Sequence, residues 1–302
     1  MFAVWIPVTI AAAFFQNLRS VLQKAIKGRL STAGAAYARF LYAWPFALFY
    51  LWAATRVTGD PIPDWHWEFI LWCLAGGISQ ILFTVVLLWM FSFRSFAVGT
   101  TFSKLEVVLI AALGAVLLGD TVGPLAIVAI AIGAAGTVVL SMTETKLTLR
   151  GLLLGLTERA TLVGLLCAAL LGASVVFFRG ATLSLDGPGF VVAAAYTLAI
   201  SLLLQTVMMG AWFGFFDRPE LARCFREWRR ALPVGIVGML GSVFWFTAFA
   251  MQNAAYVRAL GQIELLFTFL ASVFIFRERV ARSEIAGITL IVCAILMILL
   301  AG

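Results

Sequence analysis

The sequence predicts an all-α polytopic membrane protein whose ten transmembrane helices form two inverted five-helix repeats around a central cavity. Of its 302 residues, 63% are hydrophobic and 12% are charged, roughly half the charged share of a soluble domain. Many apolar runs reach the ~20 residues that an α-helix needs to cross a bilayer, and the period-two alternation of membrane β-strands is absent. The sequence also contains an internal repeat. Because each copy has an odd number of spans, the two copies enter the membrane in opposite directions.

Short polar connections separate ten apolar spans. The second span contains Pro45, which can kink a membrane helix, and the fifth begins near Pro124, as helix starts prefer. Within the fifth span, Gly133 and Gly136 allow another helix to approach closely. The basic segment 217–230 is predicted to form an interfacial amphipathic turn. The predicted spans are residues 3–25, 33–55, 67–91, 97–120, 122–142, 160–181, 187–216, 231–252, 255–278 and 280–301.

The two halves of the chain superimpose at one constant offset without a gap. The offset pairs Glu106 with Glu264, near the middle of the fourth and ninth spans, and Asp120 with Glu278 at the ends of those spans. Acids are rare inside membrane spans, so these matches outweigh the apolar ones. The predicted division is a first repeat at 1–142, a linker at 143–157 and a second repeat at 158–302.

A carboxylate at mid-membrane depth is costly and is by default a hypothesis of function. We expect Glu106 and Glu264 to bind a substrate cation or ammonium group, or to carry a proton; a structural ion pair with an arginine is the alternative. On one continuous helix, Ser103 would share a face with Glu106. The available cations are Arg19, Lys24, Arg39, Lys104 and Arg258, of which Arg39 and Arg19 are the predicted counter-charges.

Aromatic side chains near these spans are candidates to line a site for a cation or a ring. Ordinary packing is the alternative for each of them, because aromatic residues are abundant in this chain. The complete predicted site consists of Glu106, Glu264, Arg39, Arg19, Ser103, Trp89, Trp245 and Tyr256.

The composition predicts no cofactor and no metal site. The four cysteines are isolated from one another, and the single histidine, His66, lies in a tryptophan-rich loop typical of an interfacial anchor. The net charge of +7 lies mostly in the short connections, where it favours contact with anionic headgroups rather than with nucleic acid. Lysine and arginine near the span ends place both termini outside the cytoplasm.

Three segments resemble the EamA family of the drug/metabolite transporter superfamily, and the resemblance runs over nearly the whole chain. They read ARFLYAWPFALFYL, KLEVVLIAALGAVLLGDTVGPLAIVAIAIGAAGTVVL and QIELLFTFLASVFIFRERVARSEIAGITLIVCAILMIL. Members often have proline after the mid-span acid, where this chain has Val107 and Leu265, and many place both termini in the cytoplasm. The family's pattern falls on Glu106, Asp120, Glu264, Glu278 and Gly287.

The resemblance implies ten helices around a central cavity and secondary transport, often export, of amino acids or other small metabolites. Together with the two acids, it predicts an exporter of small organic metabolites, such as amino acids or amines, that works by alternating access. The expected setting is a monomer in the cell (inner) membrane, with protons as the candidate coupling ion. A non-transporting membrane subunit and an intramembrane enzyme remain as alternatives, although the sequence has no H-E-x-x-H, G-x-G-D or Ser/His pairing.

Overall fold

The computed structural model describes residues 4–26, 29–90, 96–144, 150, 159–187, 189–274 and 281–301. In this part of the chain the regular secondary structure is helical and no strand is present, as the composition predicts. Its helices are α1 (Trp5–Ala25), α2 (Thr32–Thr58), α3 (Trp67–Met90), α4 (Phe96–Ser103), α5 (Glu106–Leu118), α6 (Pro124–Glu144), α7 (Arg159–Leu183), α8 (Phe190–Phe216), α9 (Arg218–Arg226), α10 (Trp228–Met251), α11 (Ala254–Gly261), α12 (Ile263–Phe274) and α13 (Arg282–Ala301).

Seven stretches of the described chain are long and apolar enough to cross a membrane, so the protein is a multi-pass membrane protein. One of them, Thr101–Leu118, runs across the turn between α4 and α5. The others lie in α3, α6, α7, α8, α10 and α13. The arrangement as ten spans in two inverted repeats stays a prediction.

The chain divides into two compact units, and each is discontinuous in sequence. The first unit comprises Met1–Ile81 and Phe177–Gln252, and the second comprises Leu82–Val176 and Asn253–Gly302. Each unit therefore draws on both predicted repeats. The predicted linker at 143–157 falls mostly outside the described residues, so the repeat boundary is not tested.

In the first unit, α2 packs against α8 and α10, and α1 packs against α10. Ser31 caps the start of α2 by accepting a hydrogen bond from the Gly34 amide, because a helix leaves its first amides without internal partners. The buried face of α2 is rich in alanine. A Cβ at Gly235 of α10 would overlap Tyr42 of α2, so small residues set the close approach of these two helices.

In the second unit, α6 packs closely against α13. A Cβ at Gly136 would lie 2.9 Å from the Gly287 carbonyl oxygen, and one at Gly287 would lie 3.0 Å from the Gly136 carbonyl oxygen. A Cβ at Gly133 would lie 3.2 Å from the Cβ of Ala294. The predicted close approach at Gly133 and Gly136 is therefore present, and α13 is the helix that uses it.

The basic segment 217–230 contains α9, a two-turn helix between α8 and α10. Asp217 caps it by accepting a hydrogen bond from the Glu220 amide at 3.1 Å. Glu220 and Cys224 are buried, whereas Arg223 and Arg226 are exposed. The segment is thus amphipathic, as expected from the sequence.

Candidate functional site

The fourth predicted span is interrupted immediately before its acid. α4 ends at Ser103, Lys104 and Leu105 form a turn, and α5 begins at Glu106. The amide of Lys104 bonds the Thr101 carbonyl at 3.2 Å, and the amide of Leu105 bonds the Phe102 carbonyl at 3.1 Å. These tight i→i+3 bonds replace the α-helical pattern. The expectation of one continuous helix through Ser103 and Glu106 is therefore wrong.

The ninth predicted span is interrupted at the corresponding place. α11 ends at Gly261, and α12 begins at Ile263, with Gln262 between the two helices. The amide of Gln262 bonds the Ala259 carbonyl at 3.3 Å, again an i→i+3 bond. The offset that pairs Glu106 with Glu264 also pairs Lys104 with Gln262, so both interruptions fall at equivalent positions of the predicted repeat.

Each interruption puts an acid in the first turn of a new helix, Glu106 in α5 and Glu264 in α12. The first amides of a helix have no internal acceptor and carry a partial positive charge, which stabilises a nearby carboxylate. Discontinuous helices of this kind form the substrate and ion sites of many secondary transporters. The two acids thus lie where the backbone itself favours their charge.

Arg258 of α11 joins the two acids electrostatically. Its Nη2 donates a hydrogen bond to Oε1 of Glu106, in an ion pair whose side chains are only 12% and 13% exposed. The charge of Glu264 also acts on Arg258. The cluster therefore contains one guanidinium, paired with Glu106, and a second carboxyl group, Glu264, whose charge acts on that guanidinium. The structural ion pair considered above as an alternative is present for Glu106.

Two polar side chains at the start of α11 make hydrogen bonds to neighbouring backbone groups. Asn253 caps α11 by accepting a hydrogen bond from the Ala255 amide at 2.8 Å, and its Nδ2 donates to the Thr121 carbonyl at 3.4 Å. The hydroxyl of Tyr256 accepts from the Gly123 amide at 3.2 Å. These bonds tie α11 to the connection between α5 and α6.

Gln262, at the interruption itself, is only 8% exposed. Its Oε1 makes no hydrogen bond within the described part of the chain, and a Cβ at Gly133 would lie 2.8 Å from it. A buried carboxamide oxygen can accept a donor from a ligand. Its pattern in the sequence, a polar residue two positions before a mid-span acid, would have marked it as a site candidate.

Arg19 and Arg39 belong to a separate polar cluster in the first unit. Nη2 of Arg39 donates to Oε1 of Gln80 at 3.3 Å, and Nε2 of Gln205 donates to the same oxygen at 2.7 Å. A Cβ at Gly238 would lie 3.2 Å from both Arg19 Cδ and Arg39 Cγ. The methylene groups of both arginines therefore pass close to Gly238 of α10, and Arg39 and Gln205 donate to one oxygen of Gln80. A counter-charge role for Arg19 and Arg39 toward the acids stays a prediction.

The remaining predicted site residues occupy different environments. Trp245 is 7% exposed, donates from Nε1 to Oε1 of Gln16 at 3.0 Å and stacks on Phe249 in the first unit. Trp89 is 55% exposed in the second unit, and Ser103 is the last residue of α4. The site prediction missed Gln262 and Gln205, and it took Arg258 only as one available cation. Glu278 and its neighbours lie outside the described residues.

The described residues include no group of three or more His, Cys, Asp or Glu side chains placed to hold a metal ion. The polar groups described at the two interruptions include the carboxyl groups of Glu106 and Glu264, the guanidinium of Arg258 and the carboxamide of Gln262. Such groups bind ammonium groups and protons through charge and hydrogen bonds.

Part of the chain matches a known protein family. The sequence model described as the EamA-like transporter family matches residues 159–300. These residues belong to the EamA-like transporter family. The predicted resemblance is confirmed there, and this EamA-like half of the chain contains α7 to α13, including Arg258, Gln262 and Glu264.

The whole chain is also similar in fold to a solved structure whose title reads only "Crystal structure of protein". The two are 17% identical, the comparison covers 100% of this chain and 99% of that one, and the TM-score is 0.72. At this identity the likeness shows the fold alone. No curated protein matches the chain.

Proposed function

We propose that this protein is a secondary transporter of small organic metabolites, with amino acids or amines as the substrate class and export as the direction. In this proposal, the two predicted repeats form ten spans that work by alternating access in the inner membrane. Glu106 and Glu264 serve as binding or proton-coupling residues. The EamA-like match of residues 159–300 supports membrane transport as the general activity.

The observation that carries the proposal is the matched interruption of two predicted spans, each followed by an acid in the first turn of the next helix. A break in a membrane helix exposes backbone groups that must be satisfied by protein, water or ligand. Such breaks persist where they line a site, and repeated breaks at equivalent positions mark the centre of repeat-built transporters. An acid at the start of each new helix adds a charge that can titrate or bind a cation.

The charge balance favours a cationic group on the substrate or a proton. The cluster contains two carboxyl groups and one guanidinium, so with both carboxyl groups ionised its formal net charge is −1. An ammonium group or a bound proton would bring this charge to zero. Because an uncompensated charge in a low-dielectric interior is costly, neutralisation is favourable, and the cluster is suited to amines, amino acids and protons.

The test is transport by the purified full chain in proteoliposomes. A thermal-shift screen of amino acids and primary amines first selects a ligand, and uptake of that labelled ligand is then measured with and without a pH gradient. Glu264→Gln removes the charge with little change of volume. Glu284→Gln is the matched control, because Glu284 is also an acid in the first turn of a helix and its Oε2 accepts from the Ala281 amide.

Two assays separate the possible roles of Glu264. Loss of pH-driven uptake with retained substrate exchange assigns it to proton coupling, whereas loss of both assigns it to substrate binding. Unchanged uptake and exchange in Glu264→Gln would remove the residue from the mechanism. Absence of flux by the wild-type protein with every ligand, together with a stably co-purifying partner, would favour the alternative of a non-transporting subunit.

A further inference from the structure

A cluster of arginines lies on the outer face of α9 and at the start of α10. We call it the basic surface: Arg218, Arg223, Arg226, Arg229 and Arg230, all of them exposed. The helices on either side, α8 and α10, are both long and apolar enough to cross a membrane. A short helix between two such spans lies at the boundary between the bilayer and water, so the basic surface is at headgroup level.

The inner face of α9 is fixed to the start of α2. Glu220 is fully buried and accepts a hydrogen bond from the Ser31 amide at 2.6 Å. Sγ of Cys224 donates to the Gly34 carbonyl at 3.5 Å, and the Tyr42 hydroxyl donates to the Cys224 carbonyl at 3.0 Å. With this face held, the arginines of α9 are directed away from the protein.

The acids of this segment are already used by the protein. Asp217 caps α9, and Glu220 is buried with an ion pair to Arg223 at 2.7 Å. Glu227 pairs with Arg230 at 2.8 Å and contacts Arg29 at 3.8 Å. Residues 217–230 contain five arginines and three acids, a net charge of +2, so the surface keeps a net positive charge to offer to a ligand.

Three of the arginines line one surface pocket. Its volume is about 280 Å³, and its lining residues are Arg226, Glu227, Arg229 and Arg230. The guanidinium of Arg229 lies 5.5 Å from the centre of the Trp228 ring. Guanidiniums bind phosphate through paired, charge-assisted hydrogen bonds, and the pocket therefore has the chemistry of a phosphate site.

Large aromatic side chains flank the pocket residues in the sequence. Phe215 and Phe216 end α8, Phe225 lies on α9 and Trp228 begins α10, and all four are about half exposed or more. Aromatic residues concentrate at membrane interfaces, where the rings lie beside headgroups and upper acyl chains. A free phosphate ion would use only the arginines, whereas a phospholipid uses both the arginines and the rings.

We propose that the basic surface binds the headgroup phosphate of an anionic phospholipid, with the flanking aromatic rings against its glycerol and upper acyl chains. The site would anchor α9 at the membrane surface. The proposal does not depend on the transported substrate or on the two acids. It predicts a preference for phosphatidylglycerol over phosphatidylcholine that disappears when the pocket loses its charge.

The experiment measures lipids retained by the purified full chain in native mass spectrometry. The protein is incubated in detergent with an equimolar mixture of phosphatidylglycerol and phosphatidylcholine. Arg226→Gln combined with Arg229→Gln removes two pocket arginines. The matched control, Arg56→Gln combined with Arg282→Gln, removes two exposed arginines elsewhere. Thermal unfolding in phosphatidylcholine alone checks that both variants are folded.

We expect the wild-type protein and the control variant to retain phosphatidylglycerol preferentially. The pocket variant should lose this preference by roughly fivefold for each arginine, the effect of one basic residue near an anionic surface. Equal retention of the two lipids by the wild type would overturn the proposal. So would a preserved preference in a folded pocket variant, or an equal loss in the control, which would assign the effect to net charge.

Discussion

Arg258 and Glu106 are 152 positions apart in the chain, yet they form an ion pair that is almost fully shielded from solvent. The pair joins α11, which precedes the second interruption, to α5, which follows the first. Breaking it by removing one partner leaves the other charge buried and uncompensated, which is more costly than removing both. The ion pair can therefore be tested by comparing the stability of the single variants with that of the double variant.

We expect Arg258→Gln to lower the free energy of unfolding by about 3–5 kcal/mol, the usual cost of leaving a buried charge without its partner. Combining it with Glu106→Gln should recover part of this loss, because neither charge then remains. Thermal unfolding of the purified single and double variants in one detergent measures the effect. A double variant less stable than Arg258→Gln alone would contradict the assignment of a buried pair.

Gly34→Ala should loosen α9 from α2. A Cβ at Gly34 would overlap the carboxylate of Glu220, and overpacking of a buried contact commonly costs about 1–3 kcal/mol. Gly214→Ala in α8 is the control, since a Cβ there meets no atom within 4 Å and alanine favours helix over glycine by up to about 1 kcal/mol. Limited proteolysis near residue 220 and thermal unfolding together report the change. Equal behaviour of the two variants would speak against the close contact.

Asn253→Ala should destabilise the protein by about 1 kcal/mol, because it removes the cap of α11. Asn253→Asp retains the acceptor for the Ala255 amide but loses the donor to the Thr121 carbonyl. We therefore expect the aspartate variant to be more stable than the alanine variant and less stable than the wild type. Chemical denaturation measures the order of stability, provided that the dependence of the unfolding free energy on denaturant concentration is the same in all three proteins. A different order of stability would disprove the capping role.

Cys224 should resist alkylation at neutral and mildly alkaline pH. Burial, reinforced by the negative charge of Glu220, raises the pKa of its thiol to about 12, and the thiolate is the reactive form. Peptide mapping after treatment with N-ethylmaleimide at pH 8 should show little labelling of Cys224 and full labelling in denaturant. Cys293, which is exposed, is the internal control. Rapid labelling of Cys224 in the folded protein would contradict this prediction.

The same pKa shift makes stability depend on pH in one direction. The unfolded thiol ionises near its ordinary pKa of 9.0, while the folded thiol keeps its proton until about pH 12. Above pH 9 the unfolded state binds fewer protons, so the stability contributed by the protonated thiol is lost as pH rises from about 9 to 12. Cys224→Ser should have a shallower decline than the wild type over this range, measured by thermal unfolding, and parallel curves would rule the thiol out as the cause.

The membrane character of this chain and its two central acids could be predicted from the sequence. Span length and low charge depend on composition alone, and an acid inside an apolar run stands out without any structure. The predicted repeat offset also pairs the positions at which both helices break. The breaks themselves were not predicted, because neither Val107 nor Leu265 is a proline and no glycine or proline lies between Lys104 and Glu106.

The partners of the site residues could be identified only from the tertiary structure. Arg258 and Arg39 read alike in the sequence, as single arginines near span ends. Packing places Arg258 against Glu106 and Arg39 beside Gln80. Likewise, the basic composition of α9 is visible in the sequence, but the burial of Glu220 against the start of α2 is not.

The amino-acid sequence by itself determined that this protein resides in a bilayer, where its uninterrupted helices begin and end to within a few residues, and which acids must be accommodated there. These properties follow from local composition, since the transfer of each segment into lipid depends on its own side chains. Only the tertiary structure decided that Glu106 pairs with Arg258 and that each interrupted span restarts with an acid in its first turn. Those outcomes depend on which backbones approach closely, and that is set by contacts between residues far apart in the chain.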